Sequence, residues 1–188
     1  MATVTPRQPP VVNLPNLLTA SRLVLGLFLF WLIHVEQWIA CIAVFAAAAV
    51  TDWLDGYLAR KQGLTSTLGR NLDPLVDKVV ICGAFTFLLA IRNSGVTPWM
   101  VTVVVARELI ITSLRSFLEN VGATFGADWL GKIKMVLQCA ALFAIFVALQ
   151  APHEIVDWIR DGFIYAMIAA TALSGLQYLW RAWMMVRE

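Results

Sequence analysis

Six apolar stretches of roughly bilayer-crossing length, separated by short polar breaks, constrain this chain more than any other feature. They cover 17–35, 38–60, 73–92, 98–118, 129–150 and 162–185. A helix that crosses a bilayer needs about 20 predominantly apolar residues. The breaks carry turn or polar residues: His34 to Gln37, Lys61 to Asn71, Arg92 to Pro98, Glu119 to Asp128, and Pro152 to Asp161. Composition agrees, because 14% of the 188 residues are charged where a soluble domain carries about 25%. The pattern predicts an all-α polytopic membrane protein with six transmembrane helices, forming one domain over 1–188. The Pro-rich segment 1–12 is expected to be loose or interfacial. Arg7 precedes the first apolar stretch as in a signal peptide, but that stretch is long, contains Arg22 and lacks an A-x-A cleavage site. It reads as a retained first span.

Charge placement orients the spans. With the N-terminus in the cytoplasm, Arg7, Arg22, Arg60, Lys61, Arg70, Lys78, Arg107, Arg115, Lys132, Lys134, Arg181 and Arg187 fall toward the cytoplasmic side. Only Arg92 and Arg160 fall outside. This is the positive-inside asymmetry, and it predicts cytoplasmic N- and C-termini. Trp31, Trp38, Trp99, Trp129, Trp158, Trp180 and Trp183 lie near span ends, as an interfacial aromatic belt does. A nucleic-acid partner is not expected, because no basic face stands on a soluble surface. Cys41, Cys82 and Cys139 each sit inside an apolar run with no CxxC spacing and no neighbouring His. They read as buried packing residues rather than a disulfide framework or zinc site.

The chemistry concentrates between Thr51 and Lys78. Asp52 and Asp55 are three apart and Asp73 and Asp77 four apart, so each pair shares a helix face. The short break between the second and third spans predicts antiparallel neighbours whose four carboxylates converge near the cytoplasmic surface. Each acid at mid-span costs roughly 2.5–3.5 kcal/mol to insert, so four cost on the order of 10 kcal/mol. Placement at span ends lowers that cost, and so does a bound cation. An all-oxygen carboxylate site suits Mg²⁺, Mn²⁺ or Ca²⁺, and hard divalent ions suit phosphate chemistry. Gly56 and Gly69 leave room for close approach of a ligand or backbone, and Arg60 offers a cationic fork for phosphate. Structural ion pairing of the acids with Arg60, Arg70 and Lys78 is the competing explanation; four ordered acids beside two glycines are more than it needs.

The order D-x-x-D-G-x-x-A-R, eight residues, G-x-x-x-D-x-x-x-D resembles the signature of the CDP-alcohol phosphatidyltransferases. It is read from Asp52, Asp55, Gly56, Ala59, Arg60, Gly69, Asp73 and Asp77. The resemblance implies six transmembrane helices, a homodimer, a polar active-site cavity facing the cytoplasm, two divalent cations (Mg²⁺ or Mn²⁺), a CDP-linked lipid donor and release of CMP. It implies that Asp52, Asp55 and Asp73 are metal ligands and that Asp77 both contacts metal and acts as general base. Gly56, Ala59, Arg60 and Gly69 would shape the CDP pocket. It also suggests a bacterial inner membrane.

The remaining cations bear on the acceptor. Arg107 and Arg115 are eight positions apart, hence about 80° apart around a helix, so both can face one cavity. Lys132 and Lys134 begin the fifth span. Intramembrane cations normally face an interior pocket with an anionic partner; snorkelling to lipid headgroups is the alternative. The segments Ala106 to Arg115, Asp128 to Lys134 and Asn13 to Arg22 resemble those of bacterial members of the family that use CDP-diacylglycerol and sn-glycerol 3-phosphate. That resemblance implies phosphatidylglycerophosphate as product, an acceptor phosphate held by Arg107, Arg115, Lys132 and Lys134, and Asn16, Thr19 and Arg22 near the nucleotide or phosphate. The core signature alone leaves inositol phosphate, serine or phosphatidylglycerol open as acceptors. A cation carrier is the reading from another class, but carrier acids usually sit near the midplane at broken helices, whereas these cluster at span ends.

Overall fold

The computed structural model describes the backbone of residues 14–62, 67–120 and 129–187, and the side chains of 20–51, 75–118 and 129–185. Among the described residues the chain is all-helical, with six helices: α1 (Leu14–His34), α2 (Trp38–Gln62), α3 (Thr67–Leu88), α4 (Pro98–Asn120), α5 (Trp129–Gln150) and α6 (Glu154–Arg187). By length and composition α5 and α6 are each able to cross a bilayer. The apolar parts of α1 and α2, Ala20–His34 and Trp38–Thr51, are shorter.

The helices extend past the apolar stretches in two places. α3 begins at Thr67 rather than 73, and α6 at Glu154 rather than 162. Hydropathy marks the part of a helix that lipid tolerates, whereas backbone hydrogen bonding continues into polar sequence. At the start of α6 the acids Glu154 and Asp157 occupy the first turn, where the positive end of the helix dipole favours them. His153 Nδ1 accepts the Ile155 N–H at 3.3 Å. With 34 residues, α6 is about 51 Å long, well beyond the ~30 Å of a hydrocarbon core. α3, in contrast, stops at Leu88, short of 92, through tighter i→i−3 bonds such as Ile91 N–H to the Leu88 carbonyl at 3.2 Å. α1 closes with Gln37 N–H on the Leu32 carbonyl and Glu36 N–H on that of Ile33, with Glu36 at φ 56°. This is a Schellman closure made without glycine.

The connections α1–α2, α3–α4 and α5–α6 gather at one end of the bundle, where Glu36 and Trp38, Ala90 to Asn93, and Pro152 line one cleft. The helices therefore alternate in direction. The C-terminal halves of α2 and α4 and the N-terminal parts of α3 and α5 all lie at the opposite end. The apolar core fills the half nearer the cleft, with Leu29, Ile33, Phe45, Phe85, Leu142 and Phe146 among its buried members. The outside is apolar as well: Leu27, Ile39, Val79, Leu109, Val136 and Leu176, one from each helix, are exposed.

α1 packs on both α2 and α3, and α5 also touches both; α4 and α5 each pack on α6. The expectation that α2 and α3 adjoin directly is not met among the described residues, where they make no pairing. Two glycines account for α1 lying tightly on α3. A Cβ at Gly26 would stand 2.5 Å from Val80 Cγ2, and one at Gly83 2.2 Å from Phe30 Cζ. Only hydrogen at these positions permits that approach.

Candidate active site

Away from the apolar core, α3, α4 and α5 enclose a cavity of about 140 Å³, lined by Asp77, Lys78, Ile81, Glu108, Lys134, Met135 and Gln138. Helical spacing presents these groups together. Lys134 and Gln138 stand four apart on α5, and Asp77 and Ile81 four apart on α3, so each pair shares a face.

Glu108 organises the cluster. It is buried at 5% exposure and pairs with the buried Lys134 Nζ. Arg107 Nη1 reaches the same carboxylate at 3.3 Å. Arg107 also donates from Nη2 to Ser174 Oγ at 2.9 Å and lies 5.8 Å from the centre of the Tyr178 ring, so α6 holds its guanidinium from the far side. Lys78 Nζ donates to Thr112 Oγ1, which in turn donates to the Glu108 carbonyl. A charged cluster in a dry setting persists only when its members are paired, and these contacts supply the pairing.

Asp77 is served from α1. Arg22, itself buried, donates from Nη1 to Asp77 Oδ1 at 3.0 Å. The close α1–α3 packing at Gly26, one turn from Arg22, brings that guanidinium within reach. An ionised carboxylate is the form that can bind a cation or accept a proton.

Of the residues singled out by sequence, Asp77 and Lys134 line the cavity, and Arg107, which does not line it, joins the cluster through Glu108. Arg115 and Lys132 are exposed, and neither lines the cavity. Asp52 and Asp55 lie on α2, and Gly69 and Asp73 on α3 ahead of Asp77. The side chains of Asp52, Asp55 and Asp73, like those of Asn16, Thr19, Ala59 and Arg60, lie outside the described residues, as do the surroundings of Gly56 and Gly69. Asp77, the described member of the acidic set, is partly buried and lines a polar cavity, and its carboxylate oxygens are donors of the type a hard divalent ion takes; among the described residues no group of three or more such ligands comes together.

Sequence reasoning missed four contributors. Lys78 counted only as a cytoplasmic-side charge and as a structural ion-pair partner for the aspartates, and Glu108 only as a neighbour of Arg107. An acid inside an apolar run was the available signal for Glu108. Gln138 and Ser174 gave no signal, since single polar residues in membrane helices are common.

The CDP-alcohol phosphatidyltransferase family matches residues 12–174. The chain is 36% identical over 172 residues to a protein of Pectobacterium atrosepticum, covering 89% of this chain and 93% of that one. It is 32% identical over 187 residues to a protein of Bacillus subtilis, covering 91% and 95%. It is 32% identical over 177 residues to a protein of Pseudomonas fluorescens, covering 92% and 91%. All three relatives are named CDP-diacylglycerol–glycerol-3-phosphate 3-phosphatidyltransferase.

Proposed function

The chain belongs to the CDP-alcohol phosphatidyltransferase family, and we propose that it transfers the phosphatidyl group of CDP-diacylglycerol to sn-glycerol 3-phosphate. The products are phosphatidylglycerophosphate and CMP. One observation carries this choice of acceptor. Among the described residues, the cluster beside Asp77 holds three cations, Lys78 and Lys134 lining the cavity and Arg107 joined through Glu108, against that one carboxylate. Its net charge of +2 complements a phosphate monoester dianion. Serine would bring no such charge.

The residues divide the work. Arg107 and Lys134 hold the acceptor phosphate, and Lys78 adds to the field. Asp77 takes the proton from the acceptor's primary hydroxyl as that oxygen attacks the phosphorus bearing diacylglycerol. The bond from that phosphorus to the bridging oxygen breaks, and CMP leaves with the electron pair. Asp52, Asp55, Asp73 and Asp77 are the residues to hold two divalent cations, Mg²⁺ or Mn²⁺. When bound, such ions neutralise the diphosphate and the charge growing on the leaving group. Gly56, Ala59, Arg60 and Gly69 form the CDP pocket, with Asn16 and Thr19 near it, while Arg115 and Lys132 draw the acceptor in from the surface.

In this reading all six helices span a bacterial inner membrane, with both termini and the cavity on the cytoplasmic side, and the chain works as a homodimer. The exposed apolar side chains on every helix support the spans. The test is an acceptor panel. Purified protein receives CDP-diacylglycerol, Mg²⁺ and, separately, sn-glycerol 3-phosphate, inositol phosphate, serine or phosphatidylglycerol, and the lipid product is identified. Phosphatidylglycerophosphate with matching CMP is expected. Product from another acceptor alone would overturn the assignment.

A further inference from the structure

The acceptor carries three groups: a phosphate, the primary hydroxyl that attacks, and a secondary hydroxyl between them. The assigned residues account for the first two. The cavity holds one more polar side chain with an unmet demand. Gln138 lines it and is 3% exposed. Its Nε2 is buried with no hydrogen-bond partner among the described residues. A buried amide left unpaired is costly, so such groups usually have a partner. Gln138 sits one helical turn from Lys134, on the same face of α5, and shares the cavity with Asp77 on α3. It therefore borders the same space as a phosphate-binding cation and the proton-accepting carboxylate. A hydroxyl can accept from the amide N–H and still donate elsewhere.

We propose that Gln138 is a specificity-determining residue, whose Nε2 donates a hydrogen bond to the secondary hydroxyl of the acceptor. The inference rests on the reading of sn-glycerol 3-phosphate as acceptor and adds how the site tells it from a simpler phosphorylated alcohol. A site built to hydrogen-bond a hydroxyl rejects the analogue that lacks it, because the buried donor is then left unpaired.

The discriminating substrate is 3-hydroxypropyl phosphate, which keeps the phosphate and the primary hydroxyl and lacks only the secondary one. The full-length enzyme in detergent or bilayer discs is expected to prefer sn-glycerol 3-phosphate in kcat/KM by about tenfold or more. In Gln138→Leu and Gln138→Met that preference falls to within about twofold, through loss on sn-glycerol 3-phosphate with little change on the analogue. The ratio is taken on one preparation, so partial unfolding cancels. An equal fall on both substrates would mark a structural role and overturn the proposal. So would a preference unchanged in both variants. A wild-type protein that uses neither acceptor while turning over another would overturn the acceptor reading and this inference together. Wild-type turnover with an unmoved ratio overturns the inference alone.

Discussion

Replacing Glu108 with Gln tests the cluster most directly, because the change keeps shape and removes one charge. In the wild type, Glu108 faces Arg107 at 3.3 Å and also pairs with Lys134. At an effective dielectric near 20, a unit pair at that separation attracts by about 5 kcal/mol before desolvation is counted. Arg107 retains Ser174 and the Tyr178 ring after the change. Lys134, 6% exposed, loses a carboxylate with which it was in contact. Orphaning one partner of a buried pair typically costs about 3–5 kcal/mol, a large share of an ordinary domain's stability. Glu108→Gln is therefore expected to lose about 3–5 kcal/mol in a denaturing-detergent titration followed by helix content. Lys134→Met should lose less, because Glu108 keeps Arg107 at 3.3 Å. The double variant, with neither charge, should recover most of the loss, since removing both members of a buried pair is close to neutral. Its stability and its chemistry should separate: it folds, yet its KM for sn-glycerol 3-phosphate rises because a phosphate-binding cation is gone. If Glu108→Gln left the unfolding midpoint unchanged, or the double variant were no more stable than Glu108→Gln, Glu108 would not be the anchor of this cluster.

Asp77→Asn keeps the acceptance of the Arg22 hydrogen bond but removes the base, so turnover should fall by about 10²–10⁴-fold while the protein still folds; near-normal turnover in a CMP-release assay would refute the assignment. Excess chelator should abolish CMP release and added Mg²⁺ or Mn²⁺ restore it, since the four aspartates of α2 and α3 would hold the ions that neutralise the diphosphate. Gly26→Ala places a methyl 2.5 Å from Val80 Cγ2, which should cost about 1–3 kcal/mol by overpacking and lower activity by drawing Arg22 away from Asp77; adding Val80→Ala should relieve both effects, measured as detergent melting and turnover on the same samples.

The helical class was legible because apolar run length is a local property, and a chain of such runs has few alternatives. Helix ends were less legible. Arg70 and Asn71 look like a break by hydropathy, yet they lie on α3, because polarity does not interrupt the i→i−4 ladder. Within the site, Arg107 and Lys134 could be anticipated from the need of any intramembrane cation for a partner. Lys132 lies two positions from Lys134, which on a helix points it away by about 200°, and it is exposed. Arg115 is close to Arg107 in azimuth, but eight residues put it about 12 Å further along the axis, so azimuth alone overstated its proximity. What joins Glu108 to Lys134, or Arg107 to Ser174, spans 26 and 67 residues of chain. Only helix packing decides such pairs, and here α4 and α5 are brought together by packing on α6.

The two ends of the bundle show why one charged cluster reads as a site and the other does not. At the cleft end, Arg160 donates to Asp157 and to Asp161, each at 2.8 Å, and to the Asn93 carbonyl at 2.8 Å. Its surroundings are overdetermined: a Cβ at Gly95, which has φ 75°, would stand 2.8 Å from Arg160 Nε. That cation is fully compensated by acids and carbonyls of its own chain, so it ties α6 to the α3–α4 connection and needs nothing further. At the other end, among the described residues, Arg107 and Lys134 share Glu108, Lys78 bonds the Thr112 hydroxyl, and the Arg22–Asp77 pair beside them is neutral overall. Burying cations in excess is unfavourable unless an anion joins them. The imbalance is thus a statement about what is to arrive: a small group with about two negative charges, presented next to a carboxylate able to accept a proton.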